Sequence, residues 1–247
     1  MATIVQLARA PITEALVDLR ISAAGALDAA RFESLRKDLA ARYPKADERR
    51  KVETVLGMRK GAFSAAGRDL GFYGLFLSSA DGKSVVQFRP NGFTFNQLGD
   101  YTTADDLFRE ALDLWSRYVQ LVQPAKVIRV ALRYINKIAL PIQHGELFSK
   151  YLAMVPEIPG DLPQSLGSFL TRYSISDEED NVQLLLTQNF RGAKSGPAEL
   201  LLDIDVYLEG QIGVETGELV EHLQRLRRLK NLGFFSMLTD ETVKLFL

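Results

Sequence analysis

The chain has 247 residues, of which 47% are hydrophobic and 25% are charged, and its 30 basic and 31 acidic residues give a net charge of −1. This composition is typical of a globular protein and excludes fibrous and disordered classes, and the balanced charge argues against nucleic acid as a partner. The absence of cysteine excludes disulfides, thiol nucleophiles, thiolate zinc sites and iron–sulfur clusters, and it fits a reducing compartment.

The opening residues give the first indication of location. Residues 1–11 lack the basic start and the long apolar core of a signal peptide. No later apolar run reaches the length that a membrane span needs. We therefore expect a cytoplasmic protein with no membrane partner.

The first part of the chain predicts one strand and one helix. Apolar and polar residues alternate over Glu14–Ser22, which predicts a strand with one buried face. Apolar residues then recur at steps of three and four, which predicts a helix that begins after an N-cap at Asp28 and runs to Tyr43. We expect Pro44 to stop this helix.

A four-stranded meander and a second helix are expected next. The strand-like segments lie at residues 50–59, 69–79, 84–89 and 93–98. The dipeptide Asn91-Gly92 joins the last two and favours a tight hairpin turn. From Thr103 the apolar spacing predicts the clearest helix of the chain, which ends at Pro124.

After Pro124 the same order of elements begins again. A strand over 127–141 leads to a short helix near His144–Met154. Further strands are expected near residues 165–176, 181–190 and 199–208, followed by a long helix from Thr216 and a short one after Thr239.

Both halves therefore read as strand, helix, antiparallel strands and helix. We expect an α+β fold of two similar halves, residues 1–123 and 124–247, which share one continuous sheet or core. This element order is similar to the saddle fold of the TATA-binding protein and to the helix-grip fold of START-type lipid-binding domains, but such a likeness carries no function. Because the halves share little residue identity, an independent origin of the two remains open.

Three stretches carry a more specific resemblance. They are Ala10–Arg20, which reads APITEALVDLR, Leu132–Ile138 with Pro141, which contains RYINKI, and Phe234–Asp240, which ends in TD. These stretches resemble the signatures of a sporadically distributed bacterial family of uncharacterised proteins that are about as long as this chain. The resemblance implies a bacterial source and, from the patchy occurrence of the family, an accessory role such as defence or toxin neutralisation. It implies no activity, cofactor or catalytic residue.

The strand over 127–141 has one apolar face and one basic face. The basic face carries Arg129, Arg133 and Lys137 at steps of roughly 13 Å, and a row of this kind suits an anionic ligand or a phosphate backbone. The apolar face is expected to comprise Ile128, Val130, Leu132, Tyr134, Ile138 and Leu140. The strand near 199–209 carries Glu199, Asp203, Asp205 and Glu209 on one face, so we favour internal ion pairs between the two strands over ligand binding.

A small-molecule or nucleotide site is the alternative interpretation of the same strand. Its candidate ligand-binding residues are Arg129, Arg133, Tyr134, Asn136 and Lys137. These side chains would supply polar groups in a largely apolar space between the sheet and the helices.

The other charged and aromatic clusters receive structural interpretations. Two basic clusters, Arg42 to Lys51 and Arg225 to Lys230, are expected to solvate outer faces near helix ends. The aromatic residues of the meander are expected to lie in the core rather than to stack on bases. The run Asp177–Asp180 is expected to form an acidic turn, because it lacks the ligand spacing of a calcium loop.

The sequence predicts no catalytic residue, metal or cofactor. Its two histidines, His144 and His222, lack the spacing of a metal-binding helix, and His222 follows Glu218 at the spacing of an exposed pair. No phosphate loop, dinucleotide fingerprint or nucleophile elbow occurs.

These observations favour a non-catalytic protein-binding module of an accessory bacterial system. Its partner would be another protein, and a homodimer is a further expectation because an open sheet has exposed edges. The alternatives are a small-molecule or nucleotide binder in the space between sheet and helices, and nucleic-acid binding through the basic sheet face. For an enzyme the sequence offers no convergent set of residues.

Overall fold

The computed structural model describes residues 2–22, 27–59, 62–142, 148–164, 166–192 and 197–247. Within these ranges the fold is α+β, with nine strands, four α-helices and two short 3₁₀ turns. The strands are β1 Ile12–Ile21, β2 Lys45–Arg59, β3 Ala62–Ser78, β4 Ser84–Arg89, β5 Gly92–Leu98, β6 Val127–Leu140, β7 Ser168–Asp177, β8 Val182–Arg191 and β9 Ala198–Ile212. The helices are α1 Ala29–Leu39, α2 Ala104–Val122, α3 Thr216–Met237 and α4 Asp240–Val243.

The nine described strands form one open antiparallel sheet in the order β2-β3-β4-β5-β1-β6-β9-β8-β7. The predicted meander is confirmed, because β2 to β5 are consecutive neighbours. The strands β1 and β6 pair at the centre of the sheet, and β2 and β7 lie at its two edges. A single sheet therefore spans both parts of the chain.

The strands β2 and β3 are longer than predicted and reach beyond their neighbours. They pair from Lys45 opposite Ser78 to Arg59 opposite Ala62. β4 pairs with β3 only over Leu75–Ser78. The distal part of β2 and β3 is therefore a two-stranded ribbon that projects past the sheet.

The apolar face of β6 is confirmed except at Ile128, which is wrongly predicted as core. Ile128 is 37% exposed, whereas its neighbour Val127 is fully buried. The register of β6 against β9 shifts between Val127 and Arg129, and this bulge turns Val127 toward the core in place of Ile128. The remaining predicted positions are buried: Val130, Leu132, Tyr134, Ile138 and Leu140.

The helix α2 begins as predicted and covers the core. The Thr103 hydroxyl accepts a hydrogen bond from the backbone N–H of Asp106 at 3.1 Å, which satisfies one free donor of the first turn. The helix ends where Gln123 adopts a left-handed conformation. Among the described helices, none is both long enough and apolar enough to cross a bilayer.

Two helix predictions need correction. The Asp28 side chain caps α1 as expected, but α1 ends at Leu39 rather than at Tyr43. Tyr43 is nevertheless buried: its hydroxyl donates to Glu110, and its backbone N–H bonds to the carbonyl of Leu39. The helix expected near 144–154 is a 3₁₀ turn at Phe148–Lys150 in the described part, and His144 lies outside the described residues.

Candidate functional site

The face of the sheet opposite the helices carries the charged residues, and we call it the polar face. It is formed by Asp18 and Arg20 of β1, Arg89 of β4, Thr94 of β5, Arg129, Arg133 and Lys137 of β6, and Glu199, Asp203 and Asp205 of β9. These residues alternate along each strand with residues of the core, which explains why one sheet presents both surfaces.

Asp18 is the centre of the polar face. Its carboxylate lies 2.8 Å from Nη2 of Arg89 and 3.1 Å from Nη1 of Arg129. The hydroxyl of Thr94 donates to it at 2.7 Å, and Nε of Arg20 lies 3.3 Å away. Asp18 is only 8% exposed, so these contacts form in a largely dehydrated environment. Three arginines thus share one buried carboxylate.

Two carboxyl groups on this face have opposite pKa shifts. Burial opposes ionisation of Asp18, but the hydrogen bond from Thr94 and the charges of Arg89 and Arg129 outweigh it and hold the pKa of Asp18 below its usual value. For Asp205, burial is the largest effect and, together with the negative charges of Asp203 and Asp18, it outweighs the positive charges of Arg129 and Arg133, so the pKa of Asp205 is raised. The surrounding groups of the polar face therefore favour the ionised form of Asp18 but not that of Asp205.

The basic row of β6 is neutralised by β9, as the sequence predicts. Arg133 donates to both carboxylate oxygens of Asp203, at 2.8 and 2.6 Å. Nζ of Lys137 lies 2.7 Å from Glu199, and Arg129 reaches Asp205 at 3.5 Å in addition to Asp18. The expected ion pairs between the two strands are confirmed.

The five candidate ligand-binding residues lie on two sides of the sheet. Arg129, Arg133 and Lys137 are on the polar face, whereas Tyr134 and Asn136 are buried on the side of the helices. The amide of Asn136 donates to the carbonyl of Leu202 at 3.0 Å, and the hydroxyl of Tyr134 lies 3.2 Å from that of Tyr101. The structure does not bring the five residues together in one pocket.

The other charged residues that the sequence analysis singled out form hydrogen bonds and ion pairs within the fold. The acidic turn after β7 is confirmed, and the side chain of Asp177 accepts a hydrogen bond from the backbone of Asp180. Nε2 of His222 lies 3.7 Å from Glu218, so the expected pair forms, but the side chain of His222 is half-buried rather than exposed. Arg225 pairs with Asp180. No group of three or more histidine and carboxylate side chains is placed to hold a metal ion in the ranges that the structure describes.

The two edges of the sheet differ in how they are protected. β2 carries two register shifts, on either side of Arg50, and charged side chains along most of its first half. β7 pairs with β8 in a uniform register over all ten residues, and Arg172 is its one basic residue. Its side chains include Leu170 and Ile175, which are 69% and 47% exposed. Bulges and charges are the usual means of blocking an edge, so β7 is the unprotected one.

A groove lies beside this unprotected edge, on the side of α3. It has a volume of about 440 Å³ and an apolar floor of Ile175, Leu184 and Leu229. Its rim is acidic and consists of Asp177, Glu178 and Glu179. Sequence reasoning misses this site, because nothing local identifies which strand is an edge.

No family model, no curated protein and no solved structure matches the chain.

The raised pKa of Asp205 leads to a stability prediction. A carboxyl that is harder to ionise in the folded state destabilises the fold above its folded pKa, and this cost disappears as the pH falls below its unfolded pKa. Asp205→Asn should therefore leave the free energy of unfolding at pH 7 unchanged or raise it by up to about 1 kcal/mol. Urea unfolding measures this change.

The matched control is Asp203→Asn, which removes the bidentate partner of Arg133 and should lower the free energy of unfolding by about 1 kcal/mol. Equal losses in the two variants would contradict the assignment of opposite roles to these neighbouring carboxylates.

Proposed function

We propose that the chain is a non-catalytic protein-binding module of an accessory bacterial system and that β7 is its binding element. The observation that carries this proposal is the contrast between the blocked edge at β2 and the uniform, exposed edge at β7. An unpaired edge offers backbone donors and acceptors to an extended segment of another protein, which adds to the sheet as a further strand.

The contacts of the polar face support protein binding over nucleic-acid binding. A phosphate backbone is held by cations that exchange their counterions for phosphate groups. Here Arg129, Arg133 and Lys137 already have carboxylate partners, so binding a polyanion would require breaking these pairs.

The groove indicates the chemistry of the partner segment. Its apolar floor at Ile175, Leu184 and Leu229 suits an apolar side chain of the added strand. Its rim at Asp177, Glu178 and Glu179 suits lysine or arginine beside that side chain. We therefore propose a basic, extended segment as the partner.

Two double variants test this proposal. Leu170→Lys with Ile175→Lys places charges on both faces of β7 and should reduce partner capture at least tenfold, because charged side chains block strand addition. Both positions are exposed, so the fold should remain stable. The control, Val52→Lys with Met58→Lys, changes equally exposed residues of β2 and should keep capture at the wild-type level. Cross-linking in the native cell, followed by quantitative mass spectrometry, measures the difference.

Unchanged capture by the β7 variant would refute the proposal, as would an equal loss in both variants. Size-exclusion chromatography of the same proteins tests whether the partner is a second copy of the chain. In that case the wild type and the β2 variant are dimers and the β7 variant is a monomer.

We further propose that the two halves of the chain arose by duplication. The strand order β3-β4-β5-β1 on one side of the centre corresponds to β7-β8-β9-β6 on the other, with β2 as an addition at one end. In each half a helix follows the strand next to the central one, α2 after β5 and α3 after β9. This correspondence supports the proposal, although the sequences of the halves have diverged.

A further inference from the structure

β7 lies at one end of the sheet and carries exposed apolar and basic side chains. In the part of the chain that the structure describes, β8 is the only strand that pairs with it. Leu170 and Ile175 are 69% and 47% exposed, although both side chains are large and apolar. Arg172 is also exposed, and no described carboxylate forms an ion pair with it. The backbone and the side chains of this edge are therefore available to the same partner.

The charges of this edge have a defined order along the chain. Arg172 comes first, and the acidic rim of the groove, Asp177, Glu178 and Glu179, follows at the end of the strand and in the turn. Among the described residues, no cation forms an ion pair with these three carboxylates. An antiparallel copy of the same segment reverses this order, so that the positive charge of one copy can lie opposite the negative charges of the other.

We propose that the strand which adds to β7 is β7 of a second copy of the chain, an inference that rests on the proposed role of this edge in binding. The segment 168–176 contains Arg172 and no acidic residue, so it is itself a basic, extended segment of the kind that suits the groove. A two-fold axis normal to the sheet relates the two strands as an antiparallel pair. The two sheets then join edge to edge into one.

The two-fold axis passes through Ile175, because this register matches the charges. Such an axis lies at a residue position, since directly opposed side chains share one face of the sheet. Arg172 of each copy then lies opposite Glu178 of the other, and Tyr173 lies opposite Asp177, to which its hydroxyl can donate. The two Ile175 side chains meet at the axis and join the apolar floors of the two grooves.

Registers centred nearer the start of β7 lose this match. A register centred on Arg172 places two arginines directly opposite each other, which is unfavourable. A register centred on Ser174 places the apolar Leu170 opposite the carboxylate of Glu178. The register through Ile175 therefore combines apolar contact at the axis with ion pairs on both sides of it.

Single cysteines test the register, because the chain has none of its own. Ile175→Cys should form an intermolecular disulfide under mild oxidation, since directly opposed residues have Cβ atoms only about 4.5–5.5 Å apart. Leu170→Cys is the control, because this more exposed position would lie roughly 33 Å along the strand from its counterpart. Electrophoresis without reducing agent measures the cross-linked fraction. Equal cross-linking of the two variants would overturn the register.

Charge reversal tests the ion pairs. Arg172→Glu and Glu178→Arg change exposed residues, and each should raise the dissociation constant of the dimer at least about tenfold, because like charges then face each other on both sides of the axis. The double variant should regain the affinity of the wild type. An equimolar mixture of the two single variants should form a heterodimer, because each introduced charge then meets an unlike charge. Sedimentation equilibrium measures these constants, and a mixture that stays monomeric would overturn the pairing.

The oligomeric state separates this inference from the proposed function. A wild type that sediments as a monomer at micromolar concentrations would overturn the second copy as the partner. Loss of capture in the variant Leu170→Lys with Ile175→Lys would then still support binding of another protein at β7. A dimer that persists unchanged in this variant would contradict both, because its interface would lie elsewhere.

Discussion

Asp18→Ala is expected to lower the free energy of unfolding by about 3–5 kcal/mol, because it leaves buried guanidinium groups without their carboxylate. The side chains of Arg89 and Arg129 are 14% and 13% exposed. Arg129 would keep Asp205, but among the residues that the structure describes the Arg89 side chain would keep only the hydroxyl of Thr94. The cost is therefore that of unpaired buried charge rather than that of one lost hydrogen bond.

Urea unfolding followed by far-UV circular dichroism measures this loss. Asp47→Ala is the control, because Asp47 pairs with Arg49 in solvent and such pairs contribute only about 0–1 kcal/mol. A loss below about 1 kcal/mol in Asp18→Ala would contradict the interpretation.

The pH dependence of the same variant has a defined sign. Because the pKa of Asp18 is lowered by folding, its contribution is fully present above its unfolded pKa, near 4, and is lost as the pH falls through the folded value. The difference in stability between the wild type and Asp18→Ala should therefore shrink only below about pH 4.

Trp115→Ala is expected to cost about 3–5 kcal/mol, because it empties a large site in the core between α2 and the sheet. Trp115 is fully buried, and its ring centroid lies 5.2 Å from that of Tyr118 and 6.0 Å from that of Phe93. Its indole N–H also donates to the carbonyl of Val214 at 3.0 Å, which fixes the segment before α3.

Trp115→Phe separates these contributions. It keeps an aromatic ring but removes the hydrogen bond and part of the volume, so its loss should be about 1–2 kcal/mol. Circular dichroism is the suitable probe, since Trp115 is the single tryptophan and its fluorescence disappears in both variants. Comparable stability of the alanine variant and the wild type would show that this region is not part of the cooperative core.

The sequence predicts what depends on neighbouring residues. The alternation of apolar and polar residues predicts the two faces of β6, and Thr103 predicts the start of α2. Each of these signals is contained in a few consecutive residues. The role of Asp18 is not predictable in this way. It meets Arg129 because β6 pairs with β1, and Arg89 because β4 lies one strand further on the other side, beyond β5. This arrangement is set by pairings of distant segments.

Lys230 turns toward the sheet, with its ammonium group 4.1 Å from the centroid of the buried Tyr134 ring, and the sequence holds a local signal for this orientation. The apolar stripe of α3 passes through Leu223 and Leu226, and the next step of four residues reaches Lys230. Its neighbours Arg227 and Arg228 suggest a solvated cluster, whereas the helical period places Lys230, which is half-buried, in line with Leu223 and Leu226. The period, rather than the local charge, gives the correct orientation.

The position of β1 has a consequence for synthesis on the ribosome. β1 precedes both of its partners, and the end of β6 follows the end of β1 by more than a hundred residues. At a synthesis rate of roughly 5–20 residues per second, β1 lacks its partner β6 for a time on the order of ten seconds. During that interval the nascent segment Ile12–Ile21 is a target for chaperones, and completion of the sheet is a late event in the life of the chain.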